Sequence, residues 1–168
     1  MSSLLALAGC QTTHAAVPGH CRLRLMLVQV DVDNRERYAA FFRQHGFLPI
    51  PVATASVALS VAPHADVIVT ETLLPGRIDG FEFIARLKRD ERTRTIPVIV
   101  LTACAWHAER ERAEQAGCDA FLAKPCLPDG LLREVRRVLA SSPLRDVRRT
   151  ATNQRGLSER ASRASRGR

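Results

Sequence analysis

Residues that could form a chemical site follow four of the five apolar runs in this sequence of 168 residues. They are Gln29 and Val30 at the end of the first run with Asp31 directly after it, Glu71 after the third run, Thr102 after the fourth and Lys124 after the fifth. Mg²⁺ prefers carboxylate oxygens in near-octahedral geometry. The amide of Gln29 and the isopropyl group of Val30 are poor ligands for such an ion.

The five apolar runs are rich in β-branched residues or leucine, and a helical pattern follows each of them. They comprise residues 25–30, 48–52, 66–70, 96–101 and 120–123. Near-continuous apolar runs are typical of strands covered on both faces, as in a parallel sheet. Five strand and helix units with right-handed crossovers predict an α/β sandwich of three layers. In such sheets functional groups gather at the carboxyl ends of the strands, where these candidate residues lie.

Capping signals predict where the helices begin. The predicted starts are Asp33, Thr54, Asp79, Ala105 and Pro128. Asp33 is followed by Glu36, which completes a capping-box pattern, and Thr54 and Asp79 are suitable N-cap residues. Gly117 is the expected stop of the fourth helix.

The chain from about Leu23 to Ala140 resembles a response-regulator receiver domain of bacterial two-component signalling. The matching segments are Leu74-Pro75 with Asp79-Gly80-Phe81, residues 97–103 (PVIVLTA) and residues 116–125 (AGCDAFLAKP). The spacing and order of the predicted elements agree as well as the letters. This resemblance implies a CheY-like, flavodoxin-like fold with a five-stranded parallel sheet in the order 2-1-3-4-5.

The resemblance also assigns roles to the residues at the strand ends. In receiver domains an aspartate after the third strand accepts a phosphoryl group from a histidine kinase, and two acids after the first strand help to hold Mg²⁺. Here Glu71 stands at the phosphoacceptor position and Gln29 and Val30 at the acidic positions, with Asp31 beside them. Phosphoryl transfer needs a metal ion to neutralise the developing charge. We therefore expect a degenerate site without catalytic residues, without the Mg²⁺ ion of the family and without another cofactor.

Four further positions match the switch and pocket of receiver domains. Lys124 is expected to pair with Glu71, Thr102 to supply the switch hydroxyl, Phe121 to be the switch aromatic residue and Pro125 to form a cis peptide bond. Simpler structural explanations stay open for these residues. Phe121 is nearly as well explained as a core residue. The pairing of Lys124 with Glu71 is also explained as neutralisation of a partly buried charge.

Trp106 and His107 open the predicted fourth helix on the surface that receiver domains use for output. An exposed tryptophan is a suitable anchor for a binding partner. We expect that partner to be a signalling protein, either a histidine kinase or an output protein. A homodimer through the fourth and fifth helices is an open alternative.

The positive charge is concentrated in the C-terminal part. Residues 22–142 contain 17 cations and 15 acids, a net charge of +2, whereas residues 143–168 contain 8 cations and 2 acids, a net charge of +6. We predict a disordered leader over residues 1–22, a receiver-like domain over residues 23–141 and a disordered arginine-rich tail over residues 142–168. The tail contains no aromatic residue for base stacking, so nucleic-acid binding is only an alternative.

The five cysteines form no C-x-x-C pair and the five histidines show no metal-site spacing. We interpret the thiols as reduced and the location as cytoplasmic. No segment approaches the roughly 18 to 20 apolar residues of a membrane span. Leu7-Ala8-Gly9-Cys10 resembles a lipoprotein cleavage site, but the preceding residues lack the cation and the apolar length of a signal segment.

These observations predict a single-domain receiver-type module that binds protein partners without phosphorylation, with Glu71 and Lys124 holding one conformation. Two alternatives remain open. One is a working phosphorelay receiver that uses Asp31 with Glu71. The other is a nucleic-acid-associated protein that acts through its basic tail.

Overall fold

The computed structural model describes residues 22–142, along which five strands alternate with five α-helices. The strands are β1 (Arg24–Val28), β2 (Leu48–Val52), β3 (Val67–Thr70), β4 (Val98–Thr102) and β5 (Ala120–Ala123). The helices are α1 (Val32–Gln44), α2 (Ala55–Val61), α3 (Gly80–Arg89), α4 (His107–Ala116) and α5 (Pro128–Ser141), and a 3₁₀ turn (Ala62–His64) follows α2. The predicted leader and tail lie outside the described residues, apart from Arg22 and Ser142.

The strands form one parallel sheet in the order β2-β1-β3-β4-β5. This confirms the α/β fold class and the predicted flavodoxin-like strand order. The strand bounds agree with the five apolar runs to within two residues. The runs predicted the sheet well because central parallel strands bury both of their faces.

Side chains alternate along each strand between two hydrophobic layers. On β1, Leu25 and Leu27 pack against α1 and α5, whereas Met26 and Val28 pack on the side of α2, α3 and α4. Both layers are apolar, so the sheet is covered on both faces. Among residues 22–142, no helix combines the length and apolar character needed to cross a membrane.

Two of the predicted helix caps are confirmed. Thr54 Oγ1 accepts a hydrogen bond from the Val57 N–H at 3.4 Å, and Asp79 Oδ1 accepts one from the Glu82 N–H at 2.8 Å. Helix α5 begins at Pro128 as expected, whereas α4 begins two residues later than predicted.

The predicted start of the first helix at Asp33 is wrong. Helix α1 begins at Val32 and is capped by Asp31, whose Oδ1 accepts a hydrogen bond from the Asn34 N–H at 2.7 Å. Strand β1 ends at Val28, two residues before the end of the apolar run, and the cap of the helix likewise lies two residues earlier than predicted. Asp33 consequently lies in the first turn, where its charge is favourable to the helix dipole.

Candidate functional site

The carboxyl ends of β1, β3 and β5 bring Gln29, Glu71 and Lys124 into direct contact. Lys124 forms an ion pair with Glu71 through Oε1 and donates a hydrogen bond to Gln29 Oε1 at 3.0 Å. The expected contact between Lys124 and Glu71 is therefore confirmed. Because β4 separates β3 from β5, the lysine reaches across the end of an intervening strand.

The second carboxylate oxygen of Glu71 binds the loop that leaves β1. Glu71 Oε2 accepts a hydrogen bond from the backbone N–H of Val30 at 2.9 Å. The side chains of Glu71 and Lys124 are only 13% and 19% exposed. Charges with so little access to water require partners, and here each oxygen of the carboxylate has one.

Gln29 and Val30 supply no free anionic oxygen to this site. Gln29 is fully buried, and its amide oxygen faces the lysine while Nε2 has no hydrogen-bond partner among the described residues. If the Gln29 amide were flipped, its NH₂ group would face the ammonium group of Lys124, and both groups are hydrogen-bond donors. The Val30 side chain is 44% exposed to solvent.

Arg35 and Asp31 hold the loop between β1 and α1. Arg35 Nη1 donates to the carbonyl oxygens of Gln29 and Val30 at 2.6 and 3.3 Å. Together with Glu71, Arg35 therefore holds both the N–H and the C=O of Val30. The carboxylate of Asp31 caps α1, so it is engaged outside the contact between Glu71 and Lys124.

The hydroxyl of Thr102 is buried and bonds to a neighbour that sequence reasoning missed. Thr102 Oγ1 lies 2.8 Å from Thr72 Oγ1 and accepts a hydrogen bond from the Cys104 N–H at 3.1 Å. Thr72 directly follows Glu71 and is also fully buried. A hydroxyl immediately after the candidate acceptor, at the end of a buried strand, is the signal that would have identified it.

Phe121 is buried in the layer that faces α3 and α4. The guanidinium carbon of Arg110 lies 4.8 Å from the centre of its ring, which is within the range of a cation–π contact. Phe121 therefore occupies an inward position covered by an arginine. This position is compatible with both the switch role and the core role that the sequence left open.

The peptide bond between Lys124 and Pro125 is cis, as expected. The loop that follows forms a cleft of about 550 Å³ with α1, lined by Arg37, Tyr38 and Leu127 among others. Tyr38 Oη donates to the Cys126 carbonyl at 2.7 Å, and burial raises the pKa of Tyr38. The tyrosine thus joins α1 to the loop that carries the lysine.

Trp106 precedes α4 and is 77% exposed. His107 is the first residue of that helix, and its Nδ1 lies 3.4 Å from Glu111 Oε1. The structure thus leaves the predicted partner surface around Trp106 accessible.

The sequence of the chain matches a known protein family. The family model of the response regulator receiver domain matches residues 25–136. The chain belongs to this family. Receiver domains are modules of two-component signalling.

Several curated response regulators are similar to this receiver domain. Response regulator Rre1 of Synechocystis is 34% identical over 121 residues, which cover 70% of this chain and 52% of that protein. The phosphate regulon transcriptional regulatory protein PhoB of Escherichia coli is 32% identical, and the matched residues cover 51% of that protein. The chain thus spans about half the length of these two relatives. DivK of Brucella ovis, a polar-differentiation response regulator, is 30% identical over 120 residues, which cover 70% of this chain and 97% of DivK.

Solved receiver structures share the fold. A response regulator of Chloroflexus aurantiacus has a TM-score of 0.67 at 29% identity, covering 71% of this chain and 99% of that one. The receiver domain of the sensor histidine kinase PA1611 of Pseudomonas aeruginosa has a TM-score of 0.66 at 30% identity, with coverage of 71% and 99%. That structure holds a magnesium ion coordinated in its active-site cleft.

The side chains of the present receiver domain fit such an ion poorly. The oxygens of Glu71 are bonded to Lys124 and Val30, the amide oxygen of Gln29 is bonded to Lys124, and the Asp31 carboxylate caps a helix. Mg²⁺ needs oxygen ligands that are free to surround it. Within residues 22–142, no group of three or more His, Cys, Asp or Glu side chains is placed to hold a metal ion. The donor set therefore does not match Mg²⁺.

Arg35 is the second residue that sequence reasoning missed. A cation in the first turn of a helix is unfavourable to the helix dipole unless it has a specific partner. Arg35 has such partners in the two loop carbonyls. Its position against the dipole was the available signal in the sequence.

Proposed function

We propose that this receiver domain is a protein-binding module that works without phosphorylation, without Mg²⁺ and without catalytic turnover. One observation carries the proposal: both oxygens of the Glu71 carboxylate are bonded within the protein, one to Lys124 and the other to the Val30 N–H. A phosphoacceptor needs a free, positioned oxygen and a metal ion that neutralises the developing charge. The residues around Glu71 favour neither.

The network around Glu71 holds the ends of β1, β3 and β5 in one arrangement. Because Lys124 and Glu71 neutralise each other, the arrangement requires no phosphoryl group and no divalent cation. Regulation then depends on the availability of the partner protein. The partner binds at the exposed surface around Trp106, where an aromatic side chain provides an anchor.

The proposal is tested by intact mass spectrometry after incubation with acetyl phosphate and Mg²⁺. The wild-type chain should show no added phosphoryl group. The matched positive control is the triple variant Gln29→Asp, Val30→Asp and Glu71→Asp, which restores the acidic side chains of the family. We expect the triple variant to bind Mg²⁺ by isothermal titration and to gain a phosphoryl adduct.

A phosphoryl adduct on the wild-type chain would contradict the proposal, and peptide mapping would assign it. An adduct on Glu71 or Asp31 would instead support a phosphorelay receiver. The hydrogen bond from the Asn34 N–H to Asp31 argues against that alternative, because a capping carboxylate is directed to the helix.

The partner surface is tested by co-purification with quantitative cross-linking of the full chain. Trp106→Ala should abolish the cross-links of the partner. Val57→Ala is the matched control, because Val57 is an exposed apolar residue on α2, away from the loop before α4. Equal loss of the partner in both variants, or in neither, would refute binding through Trp106.

A further inference from the structure

The cleft between α1 and the segment after β5 has the size and the lining of a small-molecule site. Its volume is about 550 Å³, and such sites in proteins occupy roughly 300–1,000 Å³. Helix α1 contributes Asn34 and Arg37 to the lining, and the segment after β5 contributes Lys124, Pro125, Leu127 and Pro128. Trp106 is not part of this lining, so the cleft is separate from the proposed partner surface.

The charged side chains that line the cleft are cations. Arg37 and Lys124 line it, whereas no acidic side chain does. Lys124 is neutralised by Glu71, but Arg37 is exposed and forms no ion pair with another residue of the range 22–142. Burial raises the pKa of Tyr38, and the charge of Arg37 opposes that rise, so the guanidinium lies near this wall of the cleft. The cleft therefore favours an anion.

Lys124 retains a donor for a ligand in the cleft. An ammonium group carries three N–H donors, and two of them bind Gln29 Oε1 and Glu71 Oε1. The lysine side chain is 19% exposed and lines the cleft, so a ligand there can reach it. The side-chain amide of Asn34 supplies further donors. A carboxylate, with two acceptor oxygens, matches such a group of donors.

The rest of the lining is largely apolar. Leu127 is 78% exposed, and Pro125 and Pro128 lie on either side of it in the chain. Apolar area exposed to water favours a ligand that covers it. The cleft is also formed in advance, because Tyr38 Oη donates to the Cys126 carbonyl at 2.7 Å and joins the two walls. A site formed in advance loses less conformational entropy when a ligand binds.

We propose that this cleft binds a small organic anion in which a carboxylate is attached to an apolar body. The carboxylate binds Arg37, with Lys124 and Asn34 as additional donors. The apolar body covers Leu127 and Pro125. An inorganic anion would leave the apolar wall exposed, and a neutral apolar molecule would leave the charge of Arg37 unused. The site goes beyond the proposed function, since it requires neither the exposed Trp106 nor the absence of phosphorylation.

Hexanoate is the probe for this site. Its binding to the full chain is followed by ¹H–¹⁵N NMR at the Arg37 side-chain N–H and at the backbone amides of Asn34 and Leu127. We expect saturable shifts at these groups with a dissociation constant in the millimolar range, as is usual for a ligand of this size. Acetate lacks the apolar body, hexanol lacks the charge and hexylammonium has the opposite charge. Each of the three should bind at least about fivefold more weakly than hexanoate.

Two matched pairs of variants separate the cleft from the general surface. Arg37→Gln should weaken hexanoate binding by about fivefold or more, because a charge-assisted hydrogen bond is lost. Arg43→Gln should leave binding unchanged, because Arg43 lies in the last turn of α1, outside the cleft. Leu127→Ser should also weaken binding, whereas Leu48→Ser should not, because Leu48 is an exposed leucine on β2. All four side chains are exposed, so we expect the variants to fold, and circular dichroism verifies this.

The proposal is refuted if hexanoate causes no saturable shift at Arg37, Asn34 or Leu127. Equal losses in Arg37→Gln and Arg43→Gln, or in Leu127→Ser and Leu48→Ser, would show non-specific binding and would also refute it. Binding of acetate as tight as that of hexanoate would contradict the role of the apolar wall. A phosphoryl adduct in the phosphodonor experiment would contradict the proposed function and leave these titrations unchanged.

Discussion

Lys124 and Glu71 join the ends of two strands that are not neighbours in the sheet, since β4 lies between β3 and β5. Lys124 also bonds to Gln29 after β1, so a single ammonium group links three strand ends. The two charged side chains are largely removed from water, and a buried ion pair is stabilising only when its remaining hydrogen-bonding groups have partners. The Val30 N–H provides that partner for Glu71.

Lys124→Met should lower the free energy of unfolding by about 2–4 kcal/mol, because the Glu71 carboxylate would stay mostly buried with only one hydrogen bond. Urea denaturation followed by circular dichroism measures the change.

The double variant Glu71→Met and Lys124→Met provides the control for this pair. Removing both charges should restore part of the loss, since the unpaired carboxylate disappears together with the lysine. The pair is not coupled if the loss of unfolding free energy in the double variant equals the sum of the losses in Lys124→Met and Glu71→Met.

Gly80→Ala should destabilise the domain by about 2–3 kcal/mol through overpacking. A Cβ at Gly80 would lie 2.0 Å from the Glu71 carbonyl oxygen, so α3 would have to move away from the site. Thermal unfolding measures the loss.

Gly130→Ala is the matched control, because Gly130 is also near the start of a helix. A Cβ there would meet only Cys126 Sγ, at an ordinary distance of 3.5 Å. Alanine is the better helix former, so this variant should gain about 0.5–1 kcal/mol. Equal effects of the two substitutions would contradict the close packing of α3 on the Glu71 segment.

The sheet and the contact between Glu71 and Lys124 were predictable from the sequence. A buried strand can be recognised because several consecutive residues are apolar. The family resemblance placed the lysine opposite the glutamate. The cap of α1 was misplaced because Asp31 and Asp33 are both suitable caps, and only the end of β1 decides between them. The hydrogen bonds of Arg35 and Thr72 depend on side-chain rotamers and loop geometry, which no single-residue pattern specifies.

Two prolines protect the outer edge of the sheet from pairing with another strand. The Leu48 N–H donates to the carbonyl oxygen of Leu23, which precedes β1, and the Val52 carbonyl accepts from the N–H of Gln29, which follows β1. Residues 49 and 51 of β2 therefore direct their backbone groups away from the sheet, and as prolines they carry no N–H. Pro49→Val with Pro51→Val should create a strand edge that self-associates.

Light scattering after size exclusion measures this association. The double variant should show a larger species than the wild type at the same concentration. Placing two valines at the exposed α2 positions Ser56 and Ser60 controls for added apolar surface. If that control associates equally, the effect does not come from the strand edge.

Cys118 should make the stability of the domain fall between about pH 9 and pH 11. Burial, with Glu114 and Asp119 nearby, raises the pKa of the Cys118 thiol from 9.0 to about 11. The folded state therefore holds this proton at pH values where the unfolded chain has released it, so the stabilisation is complete below pH 9 and is lost as the pH rises through 11. Since the thiol is only partly buried, we expect a loss of at most about 2 kcal/mol. Urea denaturation of the wild type and of Cys118→Ala across this range isolates the thiol, because the two proteins differ only at residue 118. Parallel pH profiles for the two proteins would show that Cys118 does not titrate differently on folding.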